Sequence, residues 1–419
     1  MFALIDCNNF YSSCERVFRP DLNCKPVFVF SNNDCCVIAR SNEAKALGIP
    51  MGAPAFEYEQ LFQKEAVHVF STNFALYGDM SNRVMSILSD YAPEIEIYSI
   101  DEAFLKMDGF DLFNLQTYGE EMRHKVTKCT GIPISVGIAP TKALAKVANR
   151  IAKKYPKQTN GVYIIDNEEK RIKALKWLKV EDVWGIGRQH ANRLNAMGVK
   201  TAWDFTLLDD GIVRKQMSVV GLRLKHDLQG IPTLDLEAIQ IKKNIATTRT
   251  FETHYTEYGQ LAERITTFAS SCAEKLRKQN SCCNSLMVFI QTNMHRNDLA
   301  QYNRSMVLKL PFPTNSSIEL AKFAKQALQY IFRQGYHYKR AGVVVQDFSQ
   351  VNQLQQTLFE QRDERHIRLM QAIDQLNNRL GQQKIRLASQ DIKRVWKMKQ
   401  EKRSPQYTTK LNDIITIKV

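Results

Sequence analysis

The chain has 419 residues, a length that predicts roughly three or four domains rather than a single core. Its 58 Lys and Arg exceed its 43 Asp and Glu, and the net charge of +15 indicates a polyanionic partner such as nucleic acid. No apolar run is long enough to span a bilayer and the N-terminus lacks the layout of a signal peptide, so we expect a cytosolic protein. The nine cysteines include no CxxC pair, which argues against both a disulfide framework and a zinc site.

The first predicted element is a buried strand that ends on an acidic residue. The apolar residues from Phe2 to Ile5 directly precede Asp6. A buried carboxylate needs a partner, usually a cation or a metal, because an unpaired charge is costly to remove from water. The alternative is that Asp6 caps a helix that begins in the following "NNFYSSCERVF". The stretch alone favours neither hypothesis.

A second acidic pair, Asp101 and Glu102, lies in "PEIEIYSIDEAFLKM". The alternation from Ile95 to Ile100 predicts a strand, with "AFLKM" as its continuation after a break at the acidic pair. Adjacent residues on an ideal strand point to opposite faces, so both carboxylates reach one site only if the backbone turns or bulges there. Two such strands could bring the pair together with Asp6, and cations would then have to balance the three charges.

Such a carboxylate group indicates a particular chemistry. Carboxylate oxygens are hard ligands that select Mg²⁺ or Mn²⁺ rather than zinc. Two such ions about 4 Å apart can clamp the attacking and leaving oxygens of an in-line displacement at phosphorus. The acidic residues therefore suggest nucleotidyl or phosphodiester chemistry, against the simpler interpretation that they are solvated surface charges.

A helix is predicted in "GIAPTKALAKVANRIAKKYP", with Thr141 as its cap. The spacing places apolar side chains on one face and lysines on the other. The apolar residues are Leu144, Val147, Ala148 and Ile151, and the lysines are Lys142, Lys146 and Lys153. The basic face is either a solvated exterior or a surface on which a lysine holds a triphosphate as a point charge.

Beyond a short strand in "TNGVYIID", a glycine motif lies between two helical patterns. Gly185, Ile186 and Gly187, with "MGV" following about ten residues later, resemble a helix-hairpin-helix. Its glycines would let backbone N–H groups approach a DNA phosphate, a contact that carries no sequence information. An ordinary tight turn is the alternative, and the basic helical surroundings favour the DNA interpretation.

The remaining sequence predicts a further domain and a tail. After the linker-like "GIPTLDLEAIQIKKN", the elements follow in β-α-β-β-α-β order, which predicts a ferredoxin-like unit that could lie along a duplex. The tail from about Ser349 combines Gln-rich sequence, a basic segment and a predicted helix. The apolar positions of that helix are Met370, Ile373, Leu376 and Leu380.

Motifs along the whole chain resemble those of the Y-family translesion DNA polymerases. In order, they are "DCNNFYSSCE", "YSIDEAF", "SVGIAPTKALAKVANRIAK" and "WGIGRQHANRL". The resemblance implies an α+β multidomain fold: a right-hand polymerase with a ferredoxin-like palm, small fingers, a helical thumb with the helix-hairpin-helix, and the β-α-β-β-α-β unit as a little finger domain. The implied boundaries are 1–10 and 74–166 for the palm, 11–73 for the fingers, 167–231 for the thumb, 232–242 for a linker, 243–348 for the little finger and 349–419 for a partner-binding tail.

The resemblance also implies roles for individual residues. Asp6, Asp101 and Glu102 would hold two magnesium ions, and Lys153 would touch the incoming triphosphate. Tyr11 matches the steric gate, an aromatic ring that collides with a ribose 2′-OH. Phe10 would support that ring. The alternative for Tyr11 is a helix residue that packs on the palm.

One motif departs from the family pattern. Where many members have Tyr and Arg in "YEAR", this chain has Asn42 and Lys45 in "NEAK". Lys cannot make the bidentate phosphate contact of Arg, so the grip on the triphosphate would be looser or rearranged. Arg40 could supply the missing guanidinium.

The leading hypothesis is an error-prone translesion DNA-directed DNA polymerase of the DNA damage (SOS) response, which transfers a nucleotidyl group from a dNTP to a primer 3′-OH opposite a damaged template. The alternatives are a metal-dependent nuclease that uses the same carboxylates and a non-catalytic DNA-binding scaffold. The resemblance further implies a UmuD-type accessory protein dimer, a RecA filament and a sliding clamp as partners, at the bacterial nucleoid during DNA damage. Gln355, Leu358 and Phe359 in "QLQQTLF" resemble a clamp-docking peptide, and the alternative is the first turn of the following helix.

Overall fold

A computed structural model describes residues 1–238, 241–353, 363–381, 384–390 and 398–416 of the chain. They form two compact units. The first unit comprises Met1–Ala238 and the segment from Met398 onward, and the second comprises Ile239–Lys397. Within the described ranges, no helix is long and apolar enough to cross a bilayer.

The regular elements of the described residues follow in chain order. The strands are β1 (Phe2–Cys7), β2 (Val27–Phe30), β3 (Val37–Arg40), β4 (His68–Ser71), β5 (Ile95–Ile97), β6 (Glu102–Lys106), β7 (Ile134–Ala139), β8 (Val162–Ile164), β9 (Ile245–Tyr255), β10 (Ser281–Thr292), β11 (Asn303–Thr314) and β12 (Tyr338–Gln350). The α-helices are α1 (Phe10–Phe18), α2 (Asn42–Ala46), α3 (Glu59–Lys64), α4 (Phe74–Leu88), α5 (Leu115–Thr130), α6 (Lys142–Lys154), α7 (Pro156–Thr159), α8 (Glu168–Trp177), α9 (Arg188–Ala196), α10 (Ala202–Thr206), α11 (Asp210–Leu228), α12 (Tyr258–Lys278), α13 (Ser317–Ile331) and α14 (Arg365–Leu380).

The first unit is built on a five-stranded sheet in the order β5-β6-β1-β7-β8. β1 lies at its centre and pairs antiparallel with both β6 and β7. Phe2 and Leu4 point into a core shared with α6 and α8, whereas Ala3 and Ile5 point into a second core with α1, α4 and α5. Because both faces of β1 are covered, its sequence is continuously apolar up to Asp6.

The hypothesis that Asp6 caps a helix is wrong. Asp6 lies inside β1, and the residue that precedes α1 is Asn9, which has a left-handed backbone (φ 51°) and makes no side-chain cap hydrogen bond. β1 is buried along its whole length and continues to Cys7, beyond Ile5, the last residue of the apolar run. Asp6 therefore lies near the end of a central strand of the sheet.

The prediction that "AFLKM" continues the preceding strand is also wrong. β5 and β6 are antiparallel neighbours joined by a hairpin turn, in which Tyr98 N and Ser99 N donate to the Glu102 carbonyl at 3.0 and 3.1 Å. Asp101 lies in the turn and Glu102 begins β6. The backbone therefore does turn at the acidic pair, as two carboxylates at one site require.

Helix α6 follows the predicted cap, since the Thr141 hydroxyl accepts a hydrogen bond from Leu144 N at 3.3 Å. Its lysine face is not a uniform solvated exterior. Lys142 is buried and forms an ion pair with buried Glu96 at 2.5 Å. The apolar periodicity identified the core face, but it could not show that the opposite face also meets the protein.

Two smaller features complete the first unit. A three-stranded sheet in the order β3-β2-β4 packs on α2 and α3 around Phe28, Phe30 and Phe62. Helices α8 to α11 form a helical region, in which α11 is interrupted at Ser218 by a left-handed backbone (φ 62°).

The second unit confirms the predicted β-α-β-β-α-β order. Its antiparallel sheet runs β11-β10-β12-β9, and α12 and α13 pack together with its buried face. The predicted tail helix is observed as α14, with Met370 buried. Arg277 of α12 holds α14 through two hydrogen bonds to Asp374, at 2.6 and 2.7 Å.

The segment 398–416 belongs to the first unit rather than to the second. Ser71 N, at the end of β4, donates to the Lys402 carbonyl at 3.0 Å. The ring of Tyr407 stacks on Phe18 of α1, with centroids 4.6 Å apart. The chain thus returns to its N-terminal elements after the second unit.

Candidate active site

Two of the predicted acidic residues face each other across neighbouring strands. Asp6 of β1 and Glu102 of β6 are direct cross-strand partners. Asp6 is only 8% exposed, and Glu102 is partly buried. Placing two carboxylates side by side in a sheet is unfavourable unless cations compensate them.

Two lysines of α6 provide part of that compensation. Lys153 forms an ion pair with Asp6. Lys146 donates to both carboxylate oxygens of Glu102, at 2.8 and 2.9 Å. The helical spacing that placed these lysines on one face therefore aims both ammonium groups at the end of the five-stranded sheet.

Burial makes the charged form of Asp6 less stable than it would be in water. Burial raises the pKa of Asp6 to about 7, the ion pair with Lys153 opposes this rise, and nearby Glu102 adds to it. A carboxylate in this position gains stability from an additional cation.

Asp101 lies in the turn that leads to Glu102. Its side chain accepts a hydrogen bond from the Ser99 hydroxyl at 2.6 Å, and its carbonyl accepts one from Cys7 N at 2.8 Å. The second bond ties the turn to the end of β1. Burial raises the pKa of Tyr11, and the nearby charge of Asp101 raises it further.

The residues fit a hard divalent cation by donor chemistry, since every predicted ligand is a carboxylate. As they stand, no group of three His, Cys, Asp or Glu in the described part of the chain is arranged to hold a metal. Lysines lie on Asp6 and Glu102, and Asp101 is hydrogen-bonded to Ser99. Ligation of a metal by all three therefore requires these side chains to exchange partners.

A cavity of about 280 Å³ opens beside the acidic pair. Its walls include Asp6, Glu102, Lys146, Asn149, Arg150, Lys153, Asp182 and Trp184. Lys146 lies over the Tyr98 ring at 4.5 Å and near that of Trp184 at 5.7 Å. The sequence identified the lysine face, but the contacts of Lys146 to Glu102 and the aromatic rings depend on the tertiary fold.

Tyr11 packs on α4 and remains partly exposed. Its ring stacks on Tyr77 with centroids 4.4 Å apart and planes at 16°, and it meets the edge of Phe74 at 6.3 Å. Phe10 is buried, with its ring centroid 5.8 Å from that of Tyr11. Tyr11 therefore packs on α4, as the alternative interpretation predicted. It also lies near Asp101, and its role as a steric gate stays a prediction.

Lys45 of α2 lies near two other predicted phosphate-binding cations, Arg40 and Lys153. Burial lowers the pKa of Lys45, and the nearby charges of Arg40 and Lys153 lower it further. The Lys45 ammonium donates to Asn9 Oδ1 at 2.5 Å, and Arg40 donates to the Ile49 carbonyl. The charges of Arg40, Lys153 and Asp6 all act on Lys45, and we call Arg40, Lys45 and Lys153 the cationic group.

The "NEAK" departure has a structural counterpart in Asn9, which the sequence interpretation did not single out. Asn9 Nδ2 donates to Asn42 Oδ1 at 2.9 Å, while Asn9 Oδ1 accepts from Lys45. One side chain thus connects both departing residues to the start of α1. Asn9 has a left-handed backbone, a conformation in which Asn is common. An Asn in a sequence is therefore compatible with such a position but does not identify it.

The predicted DNA-backbone motif directly follows Trp184, which lines the same cavity as Asp6 and Glu102. Gly185 has a left-handed backbone (φ 88°), Ile186 is buried, and Gly187 directly precedes α9. The first helix predicted for the hairpin is a 3-10 turn, Val180–Asp182. The clamp motif of Gln355, Leu358 and Phe359 lies outside the described residues.

Family models match three parts of the chain. The impB/mucB/samB family matches residues 5–150, its C-terminal domain matches 242–358, and a domain of unknown function matches 367–417. Among curated proteins, UmuC of Salmonella typhimurium is 41% identical over 100% of both chains, and ImpB of Salmonella typhimurium is 40% identical over 99% of both. DNA polymerase IV of Bacillus velezensis is 28% identical over 73% of each chain.

Solved structures agree in fold. A Y-family DNA polymerase chimera of Dbh and Dpo4 matches with a TM-score of 0.67 at 22% identity, over 84% of this chain and 100% of that one. An insertion ternary complex of Dbh DNA polymerase gives a TM-score of 0.52 with the same coverage. The predicted α+β multidomain polymerase fold is confirmed.

Several further segments of the sequence resemble UmuC, the catalytic subunit of DNA polymerase V. They are "FRPDL", "SNNDCCVIARSNEAKALGI", "DMSNRV", "VWGIG" and "SPQYTT". The identity to UmuC along the full chain confirms this prediction.

Proposed function

Because this chain belongs to the impB/mucB/samB family of Y-family translesion DNA polymerases and is UmuC-like along its full length, we propose that Asp6, Asp101 and Glu102 form its nucleotidyl-transfer centre. The chain is an error-prone DNA-directed DNA polymerase, not a nuclease or a scaffold, and its activity depends on metal ions. Its substrates are template DNA and dNTPs. The observation that carries the proposal is the cross-strand pair of Asp6 and Glu102 with Asp101 in the adjoining turn.

The three carboxylates would hold two Mg²⁺ ions. When bound, the ions supply positive charge at the attacking 3′-OH and at the leaving pyrophosphate. The chain contributes Asp6, which is almost fully buried at the end of β1. It also contributes the hairpin that places the two consecutive acidic residues beside β1.

Cationic side chains would bind the triphosphate. Lys153 would exchange Asp6 for a phosphate oxygen, a step favoured because the incoming nucleotide brings more negative charge than one carboxylate. Lys45 and Arg40 lie in the same cationic group. Tyr11, supported by Phe10, would exclude ribonucleotides by collision with the 2′-OH.

Further contacts would hold DNA and partners. Gly185, Ile186 and Gly187 would bind a DNA backbone phosphate without reading sequence. Gln355, Leu358 and Phe359 would dock on a sliding clamp and raise the effective concentration of the polymerase at the primer end. A UmuD-type dimer and a RecA filament complete the proposed set of partners, at the nucleoid.

The two-ion proposal can be tested by metal binding rather than turnover. Full-length protein, primed template with a 3′-deoxy primer end and dNTP are titrated with Mn²⁺, and bound ions are counted by electron paramagnetic resonance after subtraction of DNA and dNTP alone. We expect two ions for the wild type and fewer for Asp6→Asn and Asp101→Asn. Asp90→Asn, which alters an exposed acidic residue of the same unit, should keep both ions. Wild-type stoichiometry in Asp6→Asn and Asp101→Asn would reject the ligand assignment.

A further inference from the structure

A buried polar network lies directly beneath Tyr11. Tyr77 of α4 is fully buried, and its hydroxyl donates to Glu15 Oε1 at 2.6 Å. Glu15 of α1 is also fully buried. The Ser404 hydroxyl, almost four hundred residues further along the chain, donates to the same Glu15 oxygen at 3.0 Å.

This network fixes the ring on which Tyr11 rests. The rings of Tyr11 and Tyr77 are nearly parallel, at 16°, with centroids 4.4 Å apart. A buried tyrosine with its hydroxyl bonded to a buried carboxyl has little freedom to shift or tilt, because any movement leaves a buried polar group unpaired. The position of Tyr11 therefore depends on Tyr77 and, through Glu15, on Ser404.

The C-terminal segment is held at this place by specific hydrogen bonds. Asn73, which caps α4, donates to the carbonyl and to the hydroxyl of Ser404, both at 3.0 Å. Lys402 N donates to the Ser71 hydroxyl at 3.0 Å. Buried hydrogen bonds of this kind fix the segment in a single position, whereas purely apolar contacts would allow it to shift along the surface.

We propose that Tyr77, Glu15 and Ser404 are positioning residues for Tyr11, and that the segment 398–407 is thereby part of the sugar-selecting site. The inference rests on the proposed gate role of Tyr11. It goes beyond that role because it assigns a function to the C-terminal segment. Rejection of a ribose by collision depends on ring position to within a fraction of an ångström, so loss of the support relaxes selection.

The test measures the ratio of kcat/KM for dNTP over kcat/KM for the matching rNTP, in single-nucleotide insertion by full-length protein with any accessory proteins that insertion requires. Tyr11→Ala reports on the gate itself. Tyr77→Leu removes the supporting ring, Ser404→Ala removes the hydroxyl of the segment, and Ser404→Thr retains it. Tyr118→Phe is the matched control, because it removes a tyrosine hydroxyl bond of 2.7 Å elsewhere in the same unit.

We expect Tyr11→Ala to lower the selectivity ratio most, Tyr77→Leu to lower it about tenfold, and Ser404→Ala to lower it roughly threefold, as partial misplacement of one group would. Ser404→Thr should restore the ratio, and Tyr118→Phe should leave it unchanged. Thermal melting of each variant identifies any that does not fold. If Tyr77→Leu is unfolded, Ser404→Ala alone provides the test.

The outcomes separate the inference from the proposed function. If Tyr11→Ala loses selectivity while Tyr77→Leu and Ser404→Ala keep the wild-type ratio, the gate stands and the positioning inference is overturned. If Tyr11→Ala also keeps the ratio, the gate assignment falls and the inference falls with it. An equal loss in Tyr118→Phe would show that general destabilisation is responsible, which likewise overturns the inference.

Discussion

At the scale of single residues, burial controls the charge of two carboxyl groups in the first unit. It raises the pKa of both Asp6 and Glu15 to about 7. The sequence could predict that Asp6 needs a partner, because an apolar run leads directly into it. It could not predict Glu15, which lies in a polar stretch and is buried only because α4 and the C-terminal segment cover it.

Glu15 makes stability depend on pH. Its pKa is higher in the folded chain than its usual 4.5, because burial outweighs the hydrogen bonds from Tyr77 and Ser404; Cys14 and Tyr407 are its other titratable neighbours. The folded state therefore binds the proton more tightly, and its contribution is complete below pH 4.5 and lost as pH rises through about 7.

Replacing Glu15 by Gln keeps an acceptor oxygen and removes the titration. We expect Glu15→Gln to melt at a higher temperature than wild type at pH 8, by an amount that corresponds to on the order of 2 kcal/mol, and to show a much smaller difference at pH 5. Thermal unfolding followed by circular dichroism at both pH values checks this. A difference between variant and wild type that is the same at both pH values would contradict the assignment.

At the scale of elements, periodicity predicted which helices and strands exist but not how they connect. The strand over 95–100 and its supposed continuation are two antiparallel strands, because a hairpin and a bulge have similar local patterns. Likewise, the lysine face of α6 is aimed at Asp6 and Glu102, which only the packing of α6 on the sheet determines.

The glycine motif offers a prediction at this scale. A methyl group at Gly187 would meet nothing within 4 Å in the free protein, whereas Gly185 has a left-handed backbone that strains any other residue. If the Gly187 backbone approaches a DNA phosphate, Gly187→Ala should weaken DNA binding with little change in melting temperature. Gly185→Ala should lower both, with a stability cost of about 1 kcal/mol for a side chain in the left-handed region. Fluorescence anisotropy with primed DNA, together with melting curves, checks both variants. Unchanged affinity in Gly187→Ala would contradict the phosphate contact.

At the scale of the whole molecule, composition predicted the class of partner and motif order predicted the fold. The net charge of +15 agrees with a protein that acts on DNA. The return of the chain to its N-terminal elements at 398–416 could not be predicted. Its contacts include hydrogen bonds to Glu15, Ser71 and Asn73 and the stacking of Tyr407 on Phe18. These join residues hundreds of positions apart, and such contacts leave no periodic pattern in a sequence.

Asp6, Asp101 and Glu102 are the residues that we propose carry out nucleotidyl transfer opposite damaged template. The most direct measurement is extension of a primer across a defined template lesion with Mg²⁺, dNTP and any required accessory proteins, alongside DNA binding by anisotropy. We predict that Asp6→Asn and Asp101→Asn abolish extension while DNA affinity stays within about twofold of wild type, because basic side chains rather than these carboxylates hold the phosphates. Asp90→Asn should extend as wild type does. Extension at a near wild-type rate by either Asp6→Asn or Asp101→Asn would contradict the claim.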